Sequence, residues 1–152
     1  MDLVAQKAVE LGVERLIPMC CQRNQISVKR AVTRMDHWHR IGRQALKQCR
    51  RAWAMELASP TTLADLVSCA EPECGVVAHP GGGTIDELPS DRERLLLIGP
   101  EGGFSPEEER FLDEAGWPRI CLGPYVLRAE TAAIAGAAVF NSLRKGLHST
   151  DG

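Results

Sequence analysis

The sequence predicts an α/β fold, a mostly parallel sheet with helices packed on its faces. Two observations carry this. Strand-like and helix-like stretches alternate through the second half of the chain, and the runs Cys74 to His79 and Leu95 to Gly99 are short and apolar, as buried parallel strands are. The chain has 152 residues and 16.6 kDa, enough for one domain with a real core and too few for two ordinary ones.

The elements follow in order. Asp2 to Leu11 places Leu3, Val4, Ala8 and Leu11 at helical spacing and stops at Gly12, where a C-terminal cap prefers glycine. Val13 to Met19 reads as a strand ending near Pro18. Arg30 to Trp53 reads as one long helix. At about 100° per residue, Met35, Trp38, Ile41, Gly42, Ala45, Leu46, Cys49, Ala52 and Trp53 share a core face. Arg40, Arg43, Lys47, Arg50 and Arg51 form a basic ribbon on the opposite edge. Ala54 to Ala58 is a weak strand and Thr62 to Cys69 a short helix. Ser105-Pro106-Glu107-Glu108 combines an N-cap, a proline at the first helical position and a glutamate three residues after the cap, so a helix runs from there to Ala115 and stops at Gly116. Arg119 to Leu122 is a last strand, Gly123-Pro124 a turn, and Glu130 to Lys145 an alanine-rich final helix.

Composition narrows the function. Hydrophobic residues at 44% and charged residues at 25% are globular values, and no apolar stretch approaches the roughly 18 residues of a membrane helix. No export signal is visible at the N-terminus, so the expected location is cytoplasmic. The six cysteines repeat no spacing and the four histidines are scattered, so reduced thiols and no structural metal are expected. The net charge of −2 hides an asymmetry: residues 1–53 carry eleven Lys/Arg against four acids. A chain polarised in this way can hold one face against a polyanion. A solvated helix face is the plainer explanation of the ribbon. Phosphate contact accounts better for nine Lys/Arg between Arg23 and Arg51 facing the single acid Asp36. Only seven aromatics are present, so recognition leans on charge and shape rather than base stacking.

Three loops follow strands at the edge where open α/β sheets bind ligands: His79 to Gly83, Gly99 to Ser105, and Leu122 to Ala132. Each alone is explained as turn punctuation; three on one edge point to a small-molecule site. The P-loop pattern, G-x-G-x-x-G and the G-x-S-x-G elbow are all missing, and Cys20-Cys21 has no histidine at a recognisable catalytic spacing. A phosphate cradle at Gly81 to Gly83 lacks the lysine that would support it.

The segments ELGVERLIPM, AHP at Ala78 to Pro80, LLIGPEGGFSPEE from Leu96 and LGPYVLRAETAAIAGAAV from Leu122 resemble the RsmE-type family of small-subunit ribosomal RNA uridine-N3 methyltransferases. The likeness runs in unbroken order over nearly the whole chain. It implies a SPOUT methyltransferase, a parallel sheet flanked by helices with a C-terminal trefoil knot, acting as a homodimer with S-adenosylmethionine on small-subunit ribosomal RNA or the assembled subunit. By position it places His79, Gly99, Glu101, Gly102, Leu122, Gly123, Leu127, Thr131 and Ala132 around the cofactor, and Arg23 near the substrate pocket. The chain begins where the methyltransferase domain of that family does, so residues 1–152 are expected to form this domain without the family's PUA-like RNA-binding domain.

Uridine N3 is protonated at neutral pH, so transfer requires losing that proton. Arg128 suits stabilisation of the charge developing on the uracil oxygens, and Glu130 either takes the proton or orients Arg128. A local ion pair at the start of the last helix is the structural alternative. The sequence departs from the family pattern at Lys47-Gln48-Cys49-Arg50-Arg51, at Gln22, where glutamate is common, and at Ala129, where threonine is frequent. The rival function is a non-catalytic RNA-binding or assembly module that keeps the same fold.

Overall fold

A computed structural model describes residues 1–23, 26–71, 74–85 and 94–147. It is a mixed α/β fold in which every described strand pairing is parallel. Helix α1 (Asp2–Glu10) leads into β1 (Arg15–Leu16) and β2 (Met19–Cys20). Next come α2 (Val28–Val32), α3 (Met35–Cys49), β3 (Glu56–Leu57), β4 (Thr61–Thr62) and α4 (Leu63–Cys69). The second half holds β5 (Gly75–Gly83), β6 (Leu95–Ile98), α5 (Pro106–Glu114), β7 (Arg119–Ile120) and α6 (Ala129–Leu147). Strands β6, β5 and β7 form one sheet with β5 in the centre, while β1 pairs with β3 and β2 with β4.

Local chemistry explains most boundaries. At the end of α1, Gly12 donates to the Val9 carbonyl and Val13 to that of Ala8, and Gly12 takes φ +79°, a Schellman stop that glycine adopts without strain. The expected strand over 13–19 forms as two short pieces, β1 and β2, on either side of buried Pro18, which has no N–H to extend the ladder. Helix α5 has the expected capping box: Ser105 Oγ accepts from Glu108 N, and the Glu108 carboxylate accepts from Ser105 N.

Three expectations are corrected. The single helix over Arg30 to Trp53 is two. Thr33 Oγ1 donates to the Arg30 carbonyl and Arg34 N to that of Ala31, which closes α2 before α3 begins. Helix α3 ends at Cys49 because Arg50 turns left-handed at φ 56°, so Ala52 lies exposed beyond it and Trp53 is 67% exposed, both outside the core face expected for them. Strand β5, expected to end at His79, runs through the glycines to Gly83, because that segment returns to β7.

The core lies in two places. Leu63, Val77, Leu97, Phe104, Leu112 and Trp117 fill the space between the β6-β5-β7 sheet and helices α4 and α5. Ala5, Ala31 and Trp38 join α1, α2 and α3 over the β1–β3 ladder, and Asp2 ties these helices by accepting from His37 Nε2 at 2.8 Å and Trp38 Nε1 at 3.1 Å. Side chains alternate across a strand, so Leu96 points away from Leu97 and meets Gly136 of α6, where a Cβ would lie 2.3 Å from the Leu96 Cδ2. That glycine lets α6 lie directly on the sheet. Arg119 of β7 pairs with Glu109 at 2.6 Å and with Asp113, fastening α5 to the far edge.

Candidate active site

The register of the sheet sets the site. Ala78 lies opposite Ile98 on one side and Ile120 on the other, so His79, Gly99 and Cys121 each stand one residue beyond the same line. The three loops singled out in the sequence therefore leave one edge at one level, the carboxyl ends of parallel strands.

Two of these loops are interlocked through their backbones. The 79–82 segment leaves the sheet at Ala78 and comes back at Gly83, and both residues register with Ile120. Cys121 N donates to the Gly83 carbonyl at 2.9 Å. A Cβ on Gly82 would lie 2.5 Å from Ile120 N, so only glycine permits this approach. Within the loop, Gly81 N donates to His79 Nδ1 at 3.0 Å. That bond occupies the Nδ1 lone pair and leaves the proton of the neutral ring on Nε2.

The loop after β6 is held by its own residues and by the segment after β2. Phe104 is buried beneath it, with its ring against Gly99, and Gly103 takes φ +69°. Arg23 Nη1 donates to the Gly102 carbonyl at 3.0 Å. Gln22 Nε2 donates to Glu107 at 2.9 Å, a bond that a glutamate at position 22 would replace with repulsion. The Cys21 thiol beside it is pushed up to about 12, first by burial and then by the charge of Glu108, so it stays protonated and is no nucleophile. Burial also raises Cys20, and all six cysteines are free.

Arg23, Glu101, Gly102 and Glu130 line one cavity of about 1470 Å³ that runs between β6, α6, α1 and the β1–β2 segment. Of these, Arg23 and Gly102 are in direct contact. Arg128 and Thr131 are exposed at the start of α6, and the Arg128 carbonyl accepts from Ala132 N at 2.8 Å to open the helix. Leu122, Gly123 and Leu127 lie on the loop leading into α6, and Gly123 and Gly103 have no neighbouring heavy atom near the position of a Cβ. The Gly123 carbonyl accepts from Cys121 Sγ at 2.9 Å, and Gly103 N donates to the Pro100 carbonyl at 2.8 Å. Among the described residues, no cluster of three His, Cys, Asp or Glu side chains is arranged to hold a metal.

The basic ribbon divides. Arg40, Arg43 and Lys47 are exposed on α3, and Arg50 is exposed at its end. Arg51 instead turns inward: its Nη1 donates to the Val13 carbonyl at 2.8 Å and the Val9 carbonyl at 3.2 Å, and its Nη2 is buried. It serves as a cap on α1, a role that helical spacing could not reveal because the helix had already ended.

Residues 1–141 match the family described as RNA methyltransferase domain. The chain belongs to this family. The chain is 34% identical over 137 residues to ribosomal RNA small subunit methyltransferase E of Aquifex aeolicus, covering 88% of this chain and 59% of that protein. It is 36% identical over 146 residues to the protein of the same name from Buchnera aphidicola subsp. Schizaphis graminum, covering 89% and 57%. Among solved structures it is similar to a putative methyltransferase of Legionella pneumophila in complex with the cofactor SAM, with TM-score 0.87, 37% identity, and coverage of 93% of this chain and 60% of that one. A ribosomal RNA small subunit methyltransferase E of Neisseria gonorrhoeae bound to S-adenosyl methionine gives TM-score 0.85, 27% identity, and coverage of 94% and 60%. The chain therefore spans somewhat under two thirds of the length of these relatives.

Sequence reasoning missed one residue of this site. Glu108 was legible as half of a capping box; its second carboxylate oxygen accepts from Gln22 N at 2.8 Å, a partner 86 residues away.

Proposed function

We propose that this chain is the SPOUT methyltransferase domain, residues 1–152, of an S-adenosylmethionine-dependent enzyme that methylates N3 of a uridine in small-subunit ribosomal RNA in the cytoplasm. The observation that carries this reading is the register at Ala78, which sends three glycine-bearing loops from one edge of a parallel sheet. The unfilled Cβ positions at Gly103 and Gly123 and the Nε2–H of His79 suit a cofactor with a purine and an amino-acid tail, held largely through backbone atoms. When bound, the cofactor supplies an electrophilic methyl group. His79, Gly99, Glu101, Gly102, Leu122, Gly123, Leu127, Thr131 and Ala132 are the residues that would hold it.

The chain's own chemistry concerns the uridine. Arg128 carries a planar guanidinium with several donors, and it stabilises the negative charge on the uracil oxygens once N3 is deprotonated. Glu130 lines the cavity shared with Arg23 and receives the N3 proton. Exposed Arg40, Arg43, Lys47 and Arg50 contact phosphates. The tight return of residues 79–83 onto Ile120 supports the trefoil knot of the SPOUT fold. A homodimer is supported by Tyr125 and Val126, 80% and 81% exposed, and by exposed Val139 and Leu143 on α6; buried Gly136 packs on the chain's own sheet.

Titration of S-adenosylmethionine into the chain, followed by methyl transfer to small-subunit RNA, tests the reading. Saturable binding and a product carrying N3-methyluridine are expected. Arg128→Ala should keep cofactor binding and lose transfer at least ~100-fold, the scale for removing one donor to a developing anion. A folded chain that binds RNA and no cofactor would establish the non-catalytic module instead.

A further inference from the structure

The side chain of Glu108 does two things at once. It is 8% exposed, and each of its oxygens accepts one backbone N–H: Oε2 from Ser105 at 2.8 Å, Oε1 from Gln22 at 2.8 Å. The first bond closes the cap of α5 at the end of the Gly99–Ser105 loop. The second crosses to the segment after β2, one residue before Arg23. Arg23 in turn reaches the Gly102 carbonyl at 3.0 Å, so the two segments are joined at the middle of the glycine loop and at its C-terminal end. A carboxylate is well placed here, since the helix N-terminus and two N–H donors all favour its charge.

A capping box needs only one acceptor at this position, which glutamine also supplies. Glutamine has a single oxygen, and its NH₂ would face one of the two N–H donors. The second donor, Gln22 N, is what requires glutamate. We propose that Glu108 is a positioning residue that holds Arg23 against the Gly99–Ser105 loop, so that the arginine on the RNA side and the loop on the cofactor side move as one body. The proposal rests on the methyltransferase reading given above for what those two sides bind.

The test uses the full chain, Glu108→Gln, and Thr62→Ala as a control that removes a helix N-cap of the same kind from α4, whose Thr62 Oγ1 accepts from Asp65 N at 3.1 Å. Amide hydrogen exchange is read at Gln22 and Arg23, and methyl transfer is read as kcat and as KM for RNA. In Glu108→Gln the Gln22 amide should exchange at least tenfold faster and KM for RNA should rise about tenfold, with cofactor affinity changed less than threefold. In an Arg23→Ala background the same substitution should leave KM unmoved. Thr62→Ala should change neither the Gln22 exchange nor KM. Unaltered exchange at Gln22, or a KM loss matched by Thr62→Ala, overturns the proposal. A wild-type chain that transfers no methyl overturns the functional reading instead, and exchange at Gln22 and Arg23 still decides whether Glu108 holds that segment.

Discussion

The basic helix α3 and the glycine-bearing edge of β5 are built on opposite principles. On α3 the backbone is regular and the side chains project: Arg40, Arg43 and Lys47 are exposed, while Trp38 and Ala45 hold the helix in place from the other face. At the edge the side chains are missing and the backbones touch, with Gly82 against Ile120, where a Cβ would lie 2.5 Å from the Ile120 N. Charge on α3 is separable from the fold. Glycine at the edge is the fold.

The largest effect is expected at the edge. Gly82→Ala forces a methyl into the backbone of Ile120 and should lower the unfolding free energy by about 3 kcal/mol or more, read as a shift in the urea midpoint. Gly123→Ala, with open space at the Cβ position, should shift it by less than about 0.5 kcal/mol, which separates close approach from glycine content as the cause. An intermediate effect is expected where the two principles meet. Arg51→Ala withdraws the donor from the Val9 and Val13 carbonyls and should cost about 1–2 kcal/mol, unlike its exposed neighbours on the ribbon. The smallest effect on stability, about 0.5 kcal/mol or less, belongs to the joint change of Arg40, Arg43 and Lys47 to glutamine. The same variant should weaken RNA binding, and the slope of log affinity against log salt should fall by about 0.7 for each phosphate that is no longer neutralised. Fluorescence anisotropy over a salt series measures this; an unchanged slope would return α3 to the status of a solvated face.

What could be read from the sequence was what local chemistry decides. Ser105-Pro106-Glu107-Glu108 announces α5 because cap, proline and glutamate act within one turn. Gly12 announces the end of α1 for the same reason, and the apolar runs at 75–78 and 95–98 announce buried parallel strands. Pairings between distant residues stayed hidden. His79-Pro80-Gly81-Gly82-Gly83 looks like punctuation until Ile120, far along the chain, is placed beside it. The break between α2 and α3 turned on one hydroxyl, Thr33 Oγ1, which outcompetes the helix ladder without leaving a glycine or proline as a marker. At the site, the three loops were legible as a group and their common level was not, since register is set by pairing. Arg51 and Glu108 were each assigned from the helix they belong to or cap, whereas their partners lie in other elements.

The double pairing of Ile120 also sets a timetable for synthesis. Residues 75–83 leave the ribosome ahead of β7, and they have no partner at Gly83 until Ile120 follows. At about 5–20 residues per second, that interval lasts seconds, far longer than a short helix takes to form. The glycines at 81–83 that make the closure possible lack side chains to bury meanwhile, so this part of the segment offers little apolar surface for a wrong association. The edge proposed to hold the cofactor thus keeps a glycine stretch with little to stick to until its partner strand is made.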